Sequence, residues 1–411
     1  MRALTPILAP FAVRSFRFQW PADLATSIGF EMEALILGWY ILTATGSVEW
    51  LVAFGALMWV GAVLAPFLGI AGDRIGVRRL LIVTRGGYAF LAGSLALLIL
   101  AEALEPWQVF VIYGIAGLAR PSDQAIRNVL IAQTVRPETL MAAAGLSRST
   151  ADMAKVAGAF AGAGGVAVVG MGPAYLAVIA LYVTAFLLSF GLARSPIHAA
   201  RASVHDVIAG LKEAAHYTWT KPDLRGAFGI TFLVNLLAYP FVLGLLPYAA
   251  KEVYAVGQSG LGYLAAAFAL GALAGSLVIG ASSVRLRAGR VMLWSAAAWF
   301  VALALFGLNR SLPFGLALLF VSGLMQSLCL VPVAVVMLRG AAERMRGRVM
   351  GMRVLAVWGL PFGLLASGPI IAGVGYTACT LIYTSLGVAA TIAIGYRTRR
   401  ALWHRSAEAN A

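Results

Sequence analysis

The chain has 411 residues, 61% of them hydrophobic and only 11% charged, whereas a soluble domain carries roughly 25% charged residues. That balance excludes a soluble globular protein and requires a polytopic membrane protein. The formal net charge of +15 would suit a nucleic-acid partner, but the cations sit in short patches between apolar runs, so none is expected.

Residues up to about Arg17 show no small-residue cleavage site after an apolar stretch. No removable signal peptide is expected, and the tail should stay in the cytoplasm. Glycine, proline and charge breaks then divide the chain into twelve candidate spans: 18–44, 51–71, 80–103, 107–130, 140–169, 173–193, 226–246, 259–281, 291–308, 313–337, 349–372 and 376–396. Each is near the roughly 20 residues that cross a hydrocarbon core as a helix.

With both termini inside, the basic residues sort to one face. Arg2, Arg14 and Arg17 lie in the tail, Arg74, Arg78, Arg79 and Arg85 at the first inner loop, and Arg127 and Arg136 at the second. Arg194, Arg201, Lys212, Lys221 and Arg225 follow, then Arg285, Arg287 and Arg290, then Arg339, Arg344, Arg346 and Arg348, and finally Arg397, Arg399, Arg400 and Arg405. Only Lys251 and Arg310 fall in predicted outer loops, which leaves Arg120, Arg148, Lys155 and Arg353 inside spans. His198, His205, His216 and His404 all fall on the cytoplasmic side, which argues against a histidine proton relay in the membrane. Cys329 and Cys379 lie within apolar runs and are expected to pack.

The halves echo one another, as in transporters built from repeats. An offset of 211 positions sets Gly69 on Gly280, Arg74 on Arg285, Arg79 on Arg290 and Pro121 on Pro332, while Asp73 falls on Val284. Between the halves, Val204, Val207, Ile208, Leu211 and Ala215 recur at helical spacing opposite His205, Asp206, Lys212 and Glu213, with Ser203 available as an N-cap. The spacing predicts a short amphipathic helix along the cytoplasmic face. The expected domains are an N-terminal six-helix bundle, 1–193, a linker, 194–225, a C-terminal six-helix bundle, 226–396, and a tail, 397–411.

The turn after the second span reads Gly69-Ile70-Ala71-Gly72-Asp73-Arg74-Ile75-Gly76-Val77-Arg78-Arg79. It resembles the loop between helices 2 and 3 of the major facilitator superfamily in Gly69, Asp73, Arg74, Gly76, Arg78 and Arg79, and departs from it at Ala71 and Val77. Ser27 to Leu35 leading to Trp39, with Leu42 to Ser47 and Arg346-Gly347-Arg348-Val349-Met350, resembles a bacterial subgroup that includes enterobactin exporters and macrolide efflux proteins. Phe30 stands where those openings often carry aspartate. The resemblance implies an all-α membrane fold of twelve transmembrane helices in two pseudo-symmetric six-helix bundles, with helices 1, 4, 7 and 10 lining a central cavity. It assigns the Gly69 to Arg79 turn as a conformational latch and places the protein in a bacterial inner membrane.

Charges inside apolar spans cost about 2.5–3.5 kcal/mol each, so they normally face water or one another. Glu31 and Glu33 lie near the predicted midplane of the first span, about 200° apart around the helix, so they cannot share one cavity. Arg120, Asp123 and Arg127 form one stripe on the fourth span, and Arg148, Asp152 and Lys155 a second on the fifth. Glu31 or Glu33, with Asp152 next, is read as a proton-coupling acid. The alternative is that these acids only neutralise Arg120, Arg148 and Lys155 as packing pairs.

Arg120, Asp123, Asn235, Tyr239, Gln326 and Trp358 are the expected substrate contacts, with Arg353 in the ion-pair set. Gly158 and Gly162 among alanines on the fifth span predict close helix packing. Pro121, Pro240, Pro332 and Pro361 interrupt spans and predict bends. Trp20, Trp39, Trp50, Trp107 and Trp219 fall near span ends, where tryptophan anchors helices at the interface.

No phosphate-binding loop, metal site or nucleophile constellation is present in the sequence, so neither an enzyme nor a cofactor is expected. The reading is a secondary active transporter, a monomer exporting an amphipathic organic compound against protons. A proton-coupled importer of an organic solute or siderophore, and a non-transporting membrane receptor or scaffold, stand as alternatives.

Overall fold

The computed structural model describes residues 8–64, 75–193, 204–281 and 288–399. Arg2, Gly69, Asp73, Arg74, Arg194, His198, Arg201, Ser203, Val284, Arg285, Arg287, Arg400, His404 and Arg405 lie outside these ranges. The described residues form helices and short turns, with no strand. Among them, nine helices are long and apolar enough to cross a membrane. Their outer surfaces carry exposed apolar side chains such as Phe90, Leu97, Val168 and Trp294, the pattern expected where lipid rather than water is the solvent.

The chain divides into two compact units. The first comprises Met1–Ser47, Leu57–Ala202 and Val256–Ala266, and the second Val48–Ala56, Ser203–Ala255 and Ala267–Ala411. Each therefore includes a short segment from the opposite half of the sequence.

In the first unit, α1 (Arg14–Thr45) ends at Gly46, whose φ of 64° is left-handed and whose N–H reaches the Leu42 carbonyl at 3.0 Å. Helix α2 (Val48–Val60) begins in the second unit and ends in the first, and the chain resumes with α3 (Val77–Leu100). Gly76 precedes α3 with φ 89°, a conformation that disfavours other residues.

The predicted fourth span is two helices, α4 (Pro106–Gly117) and α5 (Arg120–Thr134). Glu105 and Gln108 form a capping box at the start of α4. Pro121 lies in the first turn of α5, where its missing N–H costs little. Helix α6 (Leu140–Ala159) continues through a π-helical turn at Phe160–Gly164, and α7 (Met171–Ser189) follows Gly170 at φ 84°.

Lipid offers no hydrophobic drive between helices, so close approach and buried polar pairs must hold them. A Cβ on Gly162 would lie 2.9 Å from the Met32 Cα, and one on Gly158 would collide with the Glu31 side chain. The small residues let α6 press against α1. Nearer the chain's start, Phe16 packs with Ile131, Val135 and Ala143.

The linker helix α8 (Val204–Thr220) and α9 (Pro222–Leu237) belong to the second unit. Pro240 opens a π-helical turn at Pro240–Gly244. Helix α10 (Gln258–Ala281) begins in the first unit and ends in the second, and α11 (Ala288–Leu308), α12 (Leu312–Gly340), α13 (Arg346–Leu355) and α14 (Gly359–Arg397) follow. Gly375, at φ 84°, breaks α14 where the sequence predicts a boundary.

Pro332 departs from the expected interruptions: it sits inside α12, which runs on around it. Pro361 lies in the first turn of α14, where no helical N–H is lost. In α8, Ala214 and Thr218 are buried while Lys212, Glu213 and His216 are exposed. Tyr217 accepts a hydrogen bond from the Ala342 N–H at 2.9 Å, and Glu213 pairs with Arg348. Helix α8 thus docks on the segment between α12 and α13.

Candidate functional site

The first unit holds a ladder of buried charge built on α1 and α5. These helices run in opposite directions, so acids spaced along α1 meet arginines spaced along α5. Glu33, buried in α1, pairs with Arg120 at the head of α5. Its carboxylate also accepts hydrogen bonds from Tyr175 at 2.6 Å and Tyr182 at 2.7 Å, both on α7. The Arg120 guanidinium lies over the rings of Phe30 at 4.5 Å and Tyr113 at 4.4 Å. Charge balance, hydrogen bonds and ring faces thus offset the desolvation of both ions.

A second rung lies about three turns toward the start of α1. Asp23 pairs with Arg85 of α3 and, at 3.5 Å, with Arg127 of α5. Arg127 also pairs with Asp123 and donates to Ser27 at 2.8 Å. Arg85 donates to Ser189 of α7 at 2.8 Å. This corrects the placement of Arg85 and Arg127 at cytoplasmic loops: both are buried inside helices, because each has an acid within reach and need not extend to water.

The two glutamates of the first span take different surroundings, as 200° of rotation requires. Glu31 is half-buried beside α6 and has no ion-pair or hydrogen-bond partner among the described residues. Lys155 and Arg120 are the cations whose charge reaches it. Asp152 is buried in α6, with the Lys155 ammonium 3.8 Å away. Arg148 lies on the same helix.

In the second unit, Gln326 of α12 donates to the Tyr239 hydroxyl at 2.6 Å, and the Tyr239 ring meets Trp299 of α11 edge-on at 5.1 Å. Asn235, one turn before Tyr239, instead donates to the Thr231 carbonyl of its own helix at 2.8 Å. Trp358 packs on Phe362 with ring centroids 6.2 Å apart, and Arg353 lies half-buried in α13. From the turn after the second span, Gly76 starts α3, Arg78 donates to the Phe190 carbonyl at 2.7 Å, and Arg79 is exposed.

The structure therefore joins Glu33 with Arg120, Asp152 with Lys155, and Tyr239 with Gln326. Asp123 turns to Arg127 rather than to Arg120. Sequence reasoning missed Asp23, Tyr113, Tyr175 and Tyr182. Tyr175 and Tyr182 are seven residues apart in one helix, the spacing of a single face, and that spacing was the available signal.

Solved structures with the same fold include three transport proteins. Nucleoside transporter NupG matches with a TM-score of 0.69 at 17% identity, covering 93% of this chain and 98% of that one. A POT family transporter in complex with 5-aminolevulinic acid matches at 0.72 and 12% identity, covering 94% and 96%. The human organic anion transporter MFSD10 matches at 0.64 and 16%, covering 93% and 99%. No curated protein sequence matches the chain. The family model described as transmembrane secretion effector, of the major facilitator superfamily, matches residues 5–410. The chain belongs to that family and is a membrane transporter of the major facilitator type.

Proposed function

We propose that the protein is a proton-coupled exporter of an amphipathic organic compound in a bacterial inner membrane, both termini cytoplasmic, within the subgroup of enterobactin and macrolide exporters. The family's description as a secretion effector supports the outward direction. The three solved relatives share the fold at low identity and carry no weight on direction or substrate.

The contrast between Glu33 and Glu31 carries the mechanism. Glu33 has an arginine and two tyrosine hydroxyls on its carboxylate, which hold its charge in place. Glu31 has no such partner and lies half-buried beside Lys155. A carboxyl with few fixed donors is the one whose proton comes and goes as its exposure changes. Glu31 is therefore the coupling acid, and Glu33 and Asp152 are pairing groups. Tyr239, Gln326 and Trp358 supply aromatic surface and a neutral hydrogen-bonding group on the C-terminal half, suited to an amphipathic solute.

The test uses purified protein in sealed liposomes with an imposed pH gradient and a panel of amphipathic dyes and siderophores. Wild type should move a solute uphill against the inward proton flow. Glu31→Gln should abolish that movement while keeping exchange of solute across the membrane without a gradient. Movement in the same direction as the proton would establish import instead. Unimpaired gradient-driven movement by Glu31→Gln would remove this residue from the coupling role.

A further inference from the structure

The two rungs of charge in the first unit leave a cluster of buried polar atoms that their own pairs do not use. Tyr88 Oη, one Asp123 carboxylate oxygen, and Arg120 Nε and Nη1 have no hydrogen-bond partner among the described residues. All three residues are between 3% and 6% exposed. Unpaired polar groups at this depth cost free energy, and in proteins ordered water usually satisfies them when several converge.

Tyr88 is placed between the rungs. Along α3 it lies one turn from Arg85, which belongs to the Asp23 rung. Its ring meets Phe30, the residue beneath the Arg120 guanidinium, edge-on at 5.1 Å, and lies 6.1 Å from the ring of Tyr182, a donor to Glu33. The charges acting on its hydroxyl are Asp123, Arg120, Arg127 and Arg85, from both rungs.

We propose that this cluster binds water inside the first unit and that Tyr88, bridging the water, completes a proton path from the Glu33–Arg120 rung to the Asp23–Asp123 rung. The inference rests on Glu31 as the coupling acid. Arg120 pairs with Glu33 and lies over the ring of Phe30, the residue next to Glu31 in the chain, so the path starts one residue from the coupling acid and leads toward the cytoplasmic end of α1. Each hop is balanced: the hydroxyl accepts one proton from water on one side and gives its own to water on the other, with no net change at Tyr88. Phenylalanine keeps the ring contacts and removes only the hydroxyl.

Two measurements on the full-length protein test this. The first is X-ray radiolytic footprinting, in which buried water makes hydroxyl radicals that oxidise the side chain beside it. Tyr88 should be oxidised despite its burial, and an unmodified Tyr88 overturns the water site whatever the transport result. The second compares wild type and Tyr88→Phe in the liposomes described above, with and without a pH gradient. Gradient-driven uphill movement should fall about tenfold or more, as for loss of a proton-transfer group, while gradient-free exchange and thermal stability stay near wild type. Equal loss of both transport modes, or no loss of either, overturns the path. If wild type itself moves nothing under a gradient, the coupling reading fails and the path with it, and that failure is recognised because it appears in the unsubstituted protein.

Discussion

Replacing Arg120 by methionine isolates what the Glu33–Arg120 rung contributes. The substitution removes the cation and keeps an apolar chain between Phe30 and Tyr113. Taking one partner from a buried ion pair costs about 3–5 kcal/mol, because the other charge is left uncompensated. Here Tyr175 and Tyr182 still donate to Glu33, which favours the lower end. The loss should therefore be about 3 kcal/mol.

Reversible unfolding in mixed micelles, followed by SDS titration, measures the loss. The double variant Glu33→Gln with Arg120→Met should be more stable than Arg120→Met alone, because no buried charge is left stranded. A loss under about 1 kcal/mol, or a double variant no more stable than the single one, would refute the picture of a carboxylate held by this arginine.

Two glycine substitutions test the backbone geometry. Gly162→Val pushes a side chain into the Met32 backbone, 2.9 Å from where its Cβ would stand, and should destabilise by about 1–3 kcal/mol. Gly164→Ala, with nothing within 4 Å, is its control and should stay within about 0.5 kcal/mol of wild type. Gly375→Ala meets no neighbour but must hold φ 84° and ψ 164°, a region essentially confined to glycine, so strain alone should cost about 1–3 kcal/mol. The same SDS titration reads all three, and equal stability of the Gly162 and Gly164 variants would contradict the α1–α6 contact.

The fold was legible because the requirement that lipid imposes is one-dimensional: a span needs only length and apolarity, and cations between spans reveal the inner face. Helix ends followed the same logic where glycine or proline forces a local conformation, as at Gly46, Gly76, Gly375 and Pro121. Pro332 shows the limit. A helix buried among neighbours can absorb a missing N–H, and the sequence around the proline does not say whether it will.

The site was legible only in part, for a reason of distance rather than chemistry. The Asp123–Arg127 pair lies four residues apart on one helix and is visible from spacing. The Asp23–Arg85 and Glu33–Arg120 pairs are 62 and 87 residues apart, and nothing local links them. Charges near span ends are ordinarily assigned to water, which is why the sequence puts Arg85 and Arg127 at the inner loops. That rule assumes no acid nearby; Asp23, two turns inside α1, supplies one and draws both arginines inward. Rotation about the helix remained readable throughout. Residues two apart on α1 must diverge by about 200°, and they do, Glu33 toward the arginine and tyrosines of α5 and α7, Glu31 toward α6. A single helix thus presents one acid held by an arginine and two tyrosines and one without such donors, a division that neither residue's identity reveals and that only their partners decide.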